Sequence, residues 1–518
     1  MSTSKSLRTT HPKGELKIRE KSLTKRIVDS YGGVVRVHWD PQAEVTAFGQ
    51  LVYFVEFLKT AGLFDQWVSD CPLQYTSNNG STKRDVLGTA MLSLLAGHKR
   101  YAHITSIRSD QVTPELLGMK KVVSEDTVRR ALQSMSEQDC EAWLKLHLTK
   151  CYEPLLQEPW ILDIDTTVKP LYGHQEGAVL GYNPQKPGRP SHVYHTYFIA
   201  NVRMILDVEV QPGNQSSALH SQPGLWKYLD GLPKKLLPEF LRGDCAFGNE
   251  TMMQGAEQRG LDYLFKLRQS PNVKKLISRA FARTDWSTAG QGWEGIEEQM
   301  ALTGWTKKRR VVVLRRRLKE SVVIDKKSLP QQAQLALIDT TSPVANYEYA
   351  ILVTSMNDEI STIAQHYRDR ADIENVFDEM KNQWSWGGFT TQDLARCKII
   401  ARVAALVFNW WSLFAGLAFP DRHAEAITSR PLLLHAVGRL TRHAGQKTVT
   451  LTSSHAMNSS VRKVLTAASS FLCKLKQTAE QLTDFQRWQL ILSRIFVRFL
   501  RGRVLGAHPP RFLALVKA

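Results

Sequence analysis

Trp160-Ile161-Leu162-Asp163-Ile164-Asp165-Thr166-Thr167 follows Pro159 and marks the point at which the chain changes texture. A period of two predicts a strand with Trp160, Leu162 and Ile164 on one face and Ile161, Asp163 and Asp165 on the other. A turn-rich stretch over 173–190 comes next, then strands predicted over 192–200 and 203–210, the second ended by Pro212-Gly213-Asn214. Further on, the pattern predicts a helix over 218–229, a short strand over 239–244, a helix over 249–259 and a strand over 262–267. Three adjacent strands followed by helix, strand, helix, strand is the order of a mixed sheet covered by helices, so the fold class is α/β.

Upstream, 82–155 is helical in pattern. Leu87, Met91, Leu94 and Leu95 share one face of a helix over 85–95, and Ser124 caps a second whose first turn holds Glu125 and Asp126. Its paired Arg129 and Arg130 read either as part of a recognition helix entering a DNA groove or as solvated surface charge. Downstream, 270–354 turns to β, with strands predicted over 311–314, 321–325 and 349–353 joined by basic links. The apolar stretch 399–419 has the length of a membrane span. Arg402 near its start, and Asn409, Trp410 and Trp411 at its middle, favour a buried core helix ended by Pro420. From 421 to 518 there are 16 Lys and Arg against 4 acids, a bias that points to phosphate contact in a helical tail.

A chain of 518 residues that is 43% hydrophobic buries a large core and divides into several domains, which excludes a disordered or disulfide-scaffolded protein. A net charge of +19 predicts a polyanionic partner, nucleic acid before membrane. Cys71, Cys140, Cys151, Cys245, Cys397 and Cys473 form no C-x-x-C pair, as in a reducing compartment. His98 and His103 have zinc-finger spacing, but only Cys71 precedes them, so no structural zinc is expected. The polar, basic first residues carry no secretory pattern, and a cytoplasmic protein is expected.

The chemistry concentrates in His366-Tyr367-Arg368-Asp369-Arg370-Ala371-Asp372-Ile373-Glu374-Asn375-Val376-Phe377-Asp378-Glu379-Met380-Lys381. On one continuous helix, at about 100° per residue, Tyr367, Arg370, Glu374 and Lys381 fall in a stripe roughly 60° wide. Taken alone this is equally a salt-bridged surface, since Arg370 and Glu374 are an i,i+4 pair. It is joined by Asp165 at the end of one predicted strand and Asp244 at the end of another. Two strand-end carboxylates and a helix Glu are the oxygen donors that a two-metal phosphodiester site needs. Asp163 is the rival of Asp165, and Asp378 lies beside Glu374.

The intervals of Tyr367, Arg370, Glu374 and Lys381 match the Y-x2-R-x3-E-x6-K signature, and the chain resembles bacterial insertion-sequence DDE transposases of the insertion-sequence-4 group. Asp165 in Asp-Thr-Thr resembles that group's first catalytic Asp and Asp244 in Gly-Asp its second; the stretch 162–197 looks most like the 1380-type branch. The resemblance covers about residues 160–410. It implies a ribonuclease-H-like core in two parts (156–269 and 355–419) around a β-rich insertion (270–354), flanked by a helical DNA-binding domain (1–155) and a basic helical C-terminal domain (420–518). It implies that Asp165, Asp244 and Glu374 ligate two Mg²⁺ ions, which Mn²⁺ can replace, and that Tyr367, Arg370 and Lys381 contact phosphates of the transposon end. Relatives with the signature stack a flipped base on an aromatic ring, for which Trp286, Trp293 and Trp305 are candidates alongside a packed-core reading of each. The expected function is cut-and-paste transposition at paired inverted repeats by a homodimer on DNA, through a hairpin intermediate, in the bacterial nucleoid. A catalytically inactive DNA-binding relative and a stand-alone nuclease are the alternatives.

Overall fold

The computed structural model describes residues 25–40, 42–75, 80–318, 346–453, 457–477 and 482–506; the strand predicted over 321–325 lies outside them. An exposed hairpin of β1 (Lys25–Ser30) and β2 (Gly33–His38) and the short β3 (Val45–Thr46) precede a run of helices. Thr82 and Asp85 form a capping box on helix Lys83–Leu95, and the Ser124 hydroxyl accepts the Thr127 N–H at the start of helix Glu125–Ser134. Arg129 and Arg130 on that helix are exposed and both reach Asp126, at 3.5 and 3.7 Å.

The centre is one sheet of nine strands: β4 (Ile161–Pro170), β5 (Ser191–Ile199), β6 (Met204–Pro212), β7 (Phe240–Gly243), β8 (Asp262–Lys266), β9 (Ser287–Gly290), β10 (Trp293–Met300), β11 (Arg309–Arg317) and β12 (Tyr347–Thr354). Their order is β6-β5-β4-β7-β8-β12-β11-β10-β9. The neighbours β4, β7 and β8 run parallel, which requires the crossovers that carry helices Ala218–Asp230 and Glu250–Gln258; the other pairs are antiparallel. The β-rich segment after residue 270 therefore continues the central sheet rather than forming a sheet of its own.

Helix Leu394–Ala418 is the one helix among the described residues long and apolar enough to cross a membrane, yet 89% of its apolar window is buried inside the protein. Trp410 meets Trp67 edge-on at 5.4 Å and Trp411 meets Phe54 at 5.3 Å. Arg402 is buried against Asp207 of β6 at 2.8 Å, which accounts for a charge in an apolar helix. Asn409 donates to the Ile205 carbonyl at 2.8 Å and accepts the Ile205 N–H at 3.0 Å. β6 is an edge strand, so this one side chain satisfies the outward N–H and carbonyl of Ile205 that a burying helix would otherwise leave bare. Asn409→Leu leaves both unpaired and should lower stability by about 2–6 kcal/mol, read from denaturant unfolding.

The basic link before β11 is not solvated charge throughout. Arg309 is buried and binds Glu250 at 2.6 Å and Glu257 at 2.8 Å, fastening β11 to helix Glu250–Gln258. Burial works to raise the Glu257 carboxyl, but hydrogen bonds from Arg309, Lys307 and Tyr263 hold it at about 2 against an ordinary 4.5. A depressed carboxyl adds stability that is present above pH 4.5 and lost as the pH falls toward 2. The acid-induced fall in thermal midpoint across that window should be smaller in Arg309→Met than in wild type, measured by calorimetry.

The C-terminal part, expected to be helical, contains a hairpin of β13 (Gly438–His443) and β14 (Gln446–Leu451), and β3 pairs with β13. Ala444 and Gly445, at φ 47° and 77°, supply the two-residue turn, and Thr448-Val449-Thr450 is β-branched throughout. Helices Asn458–Gln477 and Asp484–Ile495 complete the described chain, packed on helices Leu51–Thr60 and Leu394–Ala418.

Candidate active site

Parallel pairing of β4 with β7 sets Ile164 opposite Gly243, so Asp244, just past the carboxyl end of β7, lies beside Asp165 in the middle of β4, which pairs on with β5 as far as Pro170 instead of ending at Asp165 as the sequence predicted. A Cβ on Gly243 would come within 3.0 Å of the Phe247 side chain, so the turn that presents Asp244 is built around a missing side chain. Asp244 accepts the Ala246 N–H at 2.8 Å. Asp165 accepts the Thr166 N–H at 2.7 Å through one oxygen and the Arg370 guanidinium through the other.

The predicted continuous helix over 366–381 is replaced by two helices, Ile360–Arg368 and Ala371–Asn382, jointed at Asp369 and Arg370. In a continuous α-helix the His366 carbonyl would accept the Arg370 N–H. Here the buried Arg242 of β7 takes that carbonyl, and the Arg370 N–H turns to Tyr367 O at 3.2 Å. Arg242 also grips Asp163 with two bonds, one of them 2.6 Å long, and both residues are 1% exposed or less. Asp163 thus has both oxygens committed to a fold-holding ion pair, whereas Asp165 faces the joint.

The joint brings Arg370 onto Asp165, with a second nitrogen 3.6 Å from Glu374. The Glu374 side chain is 72% exposed and Arg370 only 8%. Burial pushes the Asp165 carboxyl up, Arg370 opposes this, and Asp244 and Glu374 push it further, so the three carboxylates are close enough to feel one another's charge. Tyr367 is partly buried against the apolar cluster that holds Phe240 and Ile363, and burial raises its hydroxyl. Lys381 is half-buried; burial lowers its ammonium while Asp165 and Asp378 act to raise it. Asp378 accepts a hydrogen bond from Asn382 at 2.7 Å. Asp165, Asp244, Glu374, Tyr367, Arg370 and Lys381 therefore gather where β7 ends beside the middle of β4.

Among the described residues, no three His, Cys, Asp or Glu side chains are arranged as a metal-holding group. The donor chemistry nevertheless fits a hard divalent cation: Asp165, raised by burial first and then by the charges of Asp244 and Glu374, shares the site with those two carboxylates, and Arg370 is the positive charge among them. Arg242 and its role in the joint were missed from sequence. Its signal was present in Leu241-Arg242-Gly243-Asp244, a charge inside an apolar strand that needs a buried partner.

The three tryptophans offered for base stacking each lie under a guanidinium: Trp286 under Arg315 at 3.7 Å, Trp293 under Arg316 at 4.9 Å and Trp305 under Arg309 at 5.4 Å. All three are partly buried against the core.

Residues 44–471 match the family model described as transposase DDE domain group 1. Among solved structures, the chain is similar to that of a cryo-EM piggyBac transposase synaptic complex with hairpin DNA, at 10% identity over 90% of this chain and 89% of that one, with a TM-score of 0.39. No curated protein sequence matches it.

Proposed function

This chain belongs to the DDE transposase family, and from that premise we propose that it moves a DNA element by cut-and-paste transposition. The observation that carries the reading is the convergence of Asp165, Asp244 and Glu374, from two parallel strands and a jointed helix, with Arg370 between them. The order β6-β5-β4-β7-β8 supports a ribonuclease-H-like core, and the signature residues support the insertion-sequence-4 group.

Asp165, Asp244 and Glu374 would hold two Mg²⁺ ions, or Mn²⁺ in their place. Bound there, the ions activate the attacking oxygen and stabilise the leaving one. Arg370, Tyr367 and Lys381 orient the phosphates of the transposon end. Water attacks the phosphodiester at the repeat boundary and frees a 3′-hydroxyl. That hydroxyl attacks the opposite strand, giving a hairpin whose hydrolysis regenerates it, and then attacks target DNA. The partners are paired inverted repeats and target duplex, held by a homodimer in the cytoplasm at the nucleoid. Phosphate contact comes in addition from the basic C-terminal part and from Arg129 and Arg130.

The test is incubation of the purified protein with labelled DNA carrying the element's terminal repeats, in Mg²⁺ or in EDTA, together with a pre-cut end and a target plasmid. Metal-dependent cuts at the repeat boundary and joining of the pre-cut end are expected. Cutting without joining in any divalent metal leaves a nuclease, and tight binding without either leaves an inactive DNA-binding protein.

A further inference from the structure

The ribbon of β13 and β14 has two faces of different chemistry. Its antiparallel register pairs Arg439 with Thr450, Thr441 with Thr448 and His443 with Gln446 on one face, and Leu440 with Val449 and Arg442 with Lys447 on the other. The second face is turned to the body of the protein. Leu440 is buried, Arg442 binds Glu44 and Glu115, and Lys447 binds Glu115 at 2.8 Å. At the root the backbones of Gly438 and Gly49 touch: a Cβ on Gly438 would come within 2.9 Å of the Gly49 Cα. A free two-stranded hairpin is marginal in water, so these anchors are what hold this one in place.

The first face looks away from the protein, and all six of its residues are exposed. β3 pairs no further than Arg439, so from Leu440 to His443 the sheet is two strands wide, a ribbon about 14 Å long. Between Gly438 and Leu451 there is no Asp or Glu. Arg442 and Lys447 are neutralised by Glu44 and Glu115, whereas Arg439 has no carboxylate partner among the described residues. The major groove of B-DNA admits a two-stranded β-ribbon, and the side chains on this face are those that read its base edges. Arg bonds guanine through two donors, Gln bonds adenine through a donor and an acceptor, and Thr offers a hydroxyl to any base and a methyl to thymine. With no large apolar side chain, the face has little to bury against another protein.

We propose that the β13–β14 ribbon is a sequence-reading surface for duplex DNA, lying in the major groove with Arg439 and Gln446 on base edges and Thr441, Thr448 and Thr450 alongside. This goes beyond phosphate contact by the basic C-terminal part, and it rests on the transposase reading for the identity of the duplex, a terminal repeat.

Fluorescence anisotropy of the full-length protein in EDTA tests it, with a labelled terminal-repeat duplex and a scrambled duplex of the same length and composition, each over a range of salt. Wild type should prefer the repeat. Arg439→Ala and Gln446→Ala should each weaken repeat binding about 5- to 150-fold, the discrimination that one two-bond base contact supplies, and leave the scrambled duplex almost unchanged. Both positions are exposed, so the thermal midpoint should not move. Equal losses on both duplexes, with a shallower salt dependence in Arg439→Ala, would mark a phosphate contact and overturn the proposal. Repeat binding unmoved by either substitution, or a wild type that binds both duplexes alike, overturns it as well. So does a change confined to self-association, which would make the face a contact with a second copy. Protein that prefers the repeat yet cuts it in no divalent metal refutes the transposase reading and leaves the ribbon's role standing, because binding is measured without cleavage.

Discussion

Asp165→Asn is expected to abolish cleavage and strand transfer while leaving repeat binding in place. The amide has the carboxylate's shape and can still accept the Thr166 N–H, so β4 has no steric reason to move. What it lacks is the negative charge opposite Arg370 and beside Asp244 and Glu374. A hard divalent cation needs that charge, and a neutral amide is a poor replacement. The single-turnover cleavage rate in Mg²⁺ should fall on the order of a thousandfold, about 4 kcal/mol of transition-state stabilisation. Gel-shift affinity for the repeats in EDTA should stay close to wild type. A mutant that cuts at the normal rate would remove Asp165 from the site, and since Asp163 is closed off by Arg242, the carboxylate assignment would have to leave β4.

The second large effect belongs to the buried pair of Asp163 and Arg242. Arg242→Met leaves Asp163 buried without a counter-charge and should cost about 3–5 kcal/mol, read from the denaturant midpoint. Replacing both members, Asp163→Leu with Arg242→Met, removes the orphaned charge and should recover most of that stability. It should not recover cleavage. The His366 carbonyl loses the donor that holds it away from the Arg370 N–H, and the joint is free to close toward a continuous helix. Arg370 would then leave Asp165. Stability and activity therefore separate in the double variant, and recovery of both together would refute the role assigned to the joint.

Much of the local structure could be read from the chain. The alternation at 160–165 corresponds to β4, the segments at 249–259 and 262–267 to a helix and β8, and the charge in 399–419 to a buried helix. The hairpin of β13 and β14 was hidden because the surrounding basic, helix-forming residues set the reading of the whole tail, although Thr448-Val449-Thr450 carries a strand pattern. The continuous helix over 366–381 was misread for a different reason. Nothing within it breaks a helix; the break comes from Arg242, 124 residues away.

The same division runs through the site. Spacing along the chain is enough to select Tyr367, Arg370, Glu374 and Lys381 and to place Asp244 at a strand end, because periodicity depends on neighbours a few residues apart; the predicted end of β4 at Asp165 is overrun, since pairing with β5 carries the strand to Pro170. Spacing left Asp163 as a rival of Asp165, since both sit on one face of β4. Their separation is made by ion pairs that span 79 residues to Arg242 and 205 residues to Arg370. Such pairs exist only after the helices dock on the sheet, when burial makes each charge find a partner.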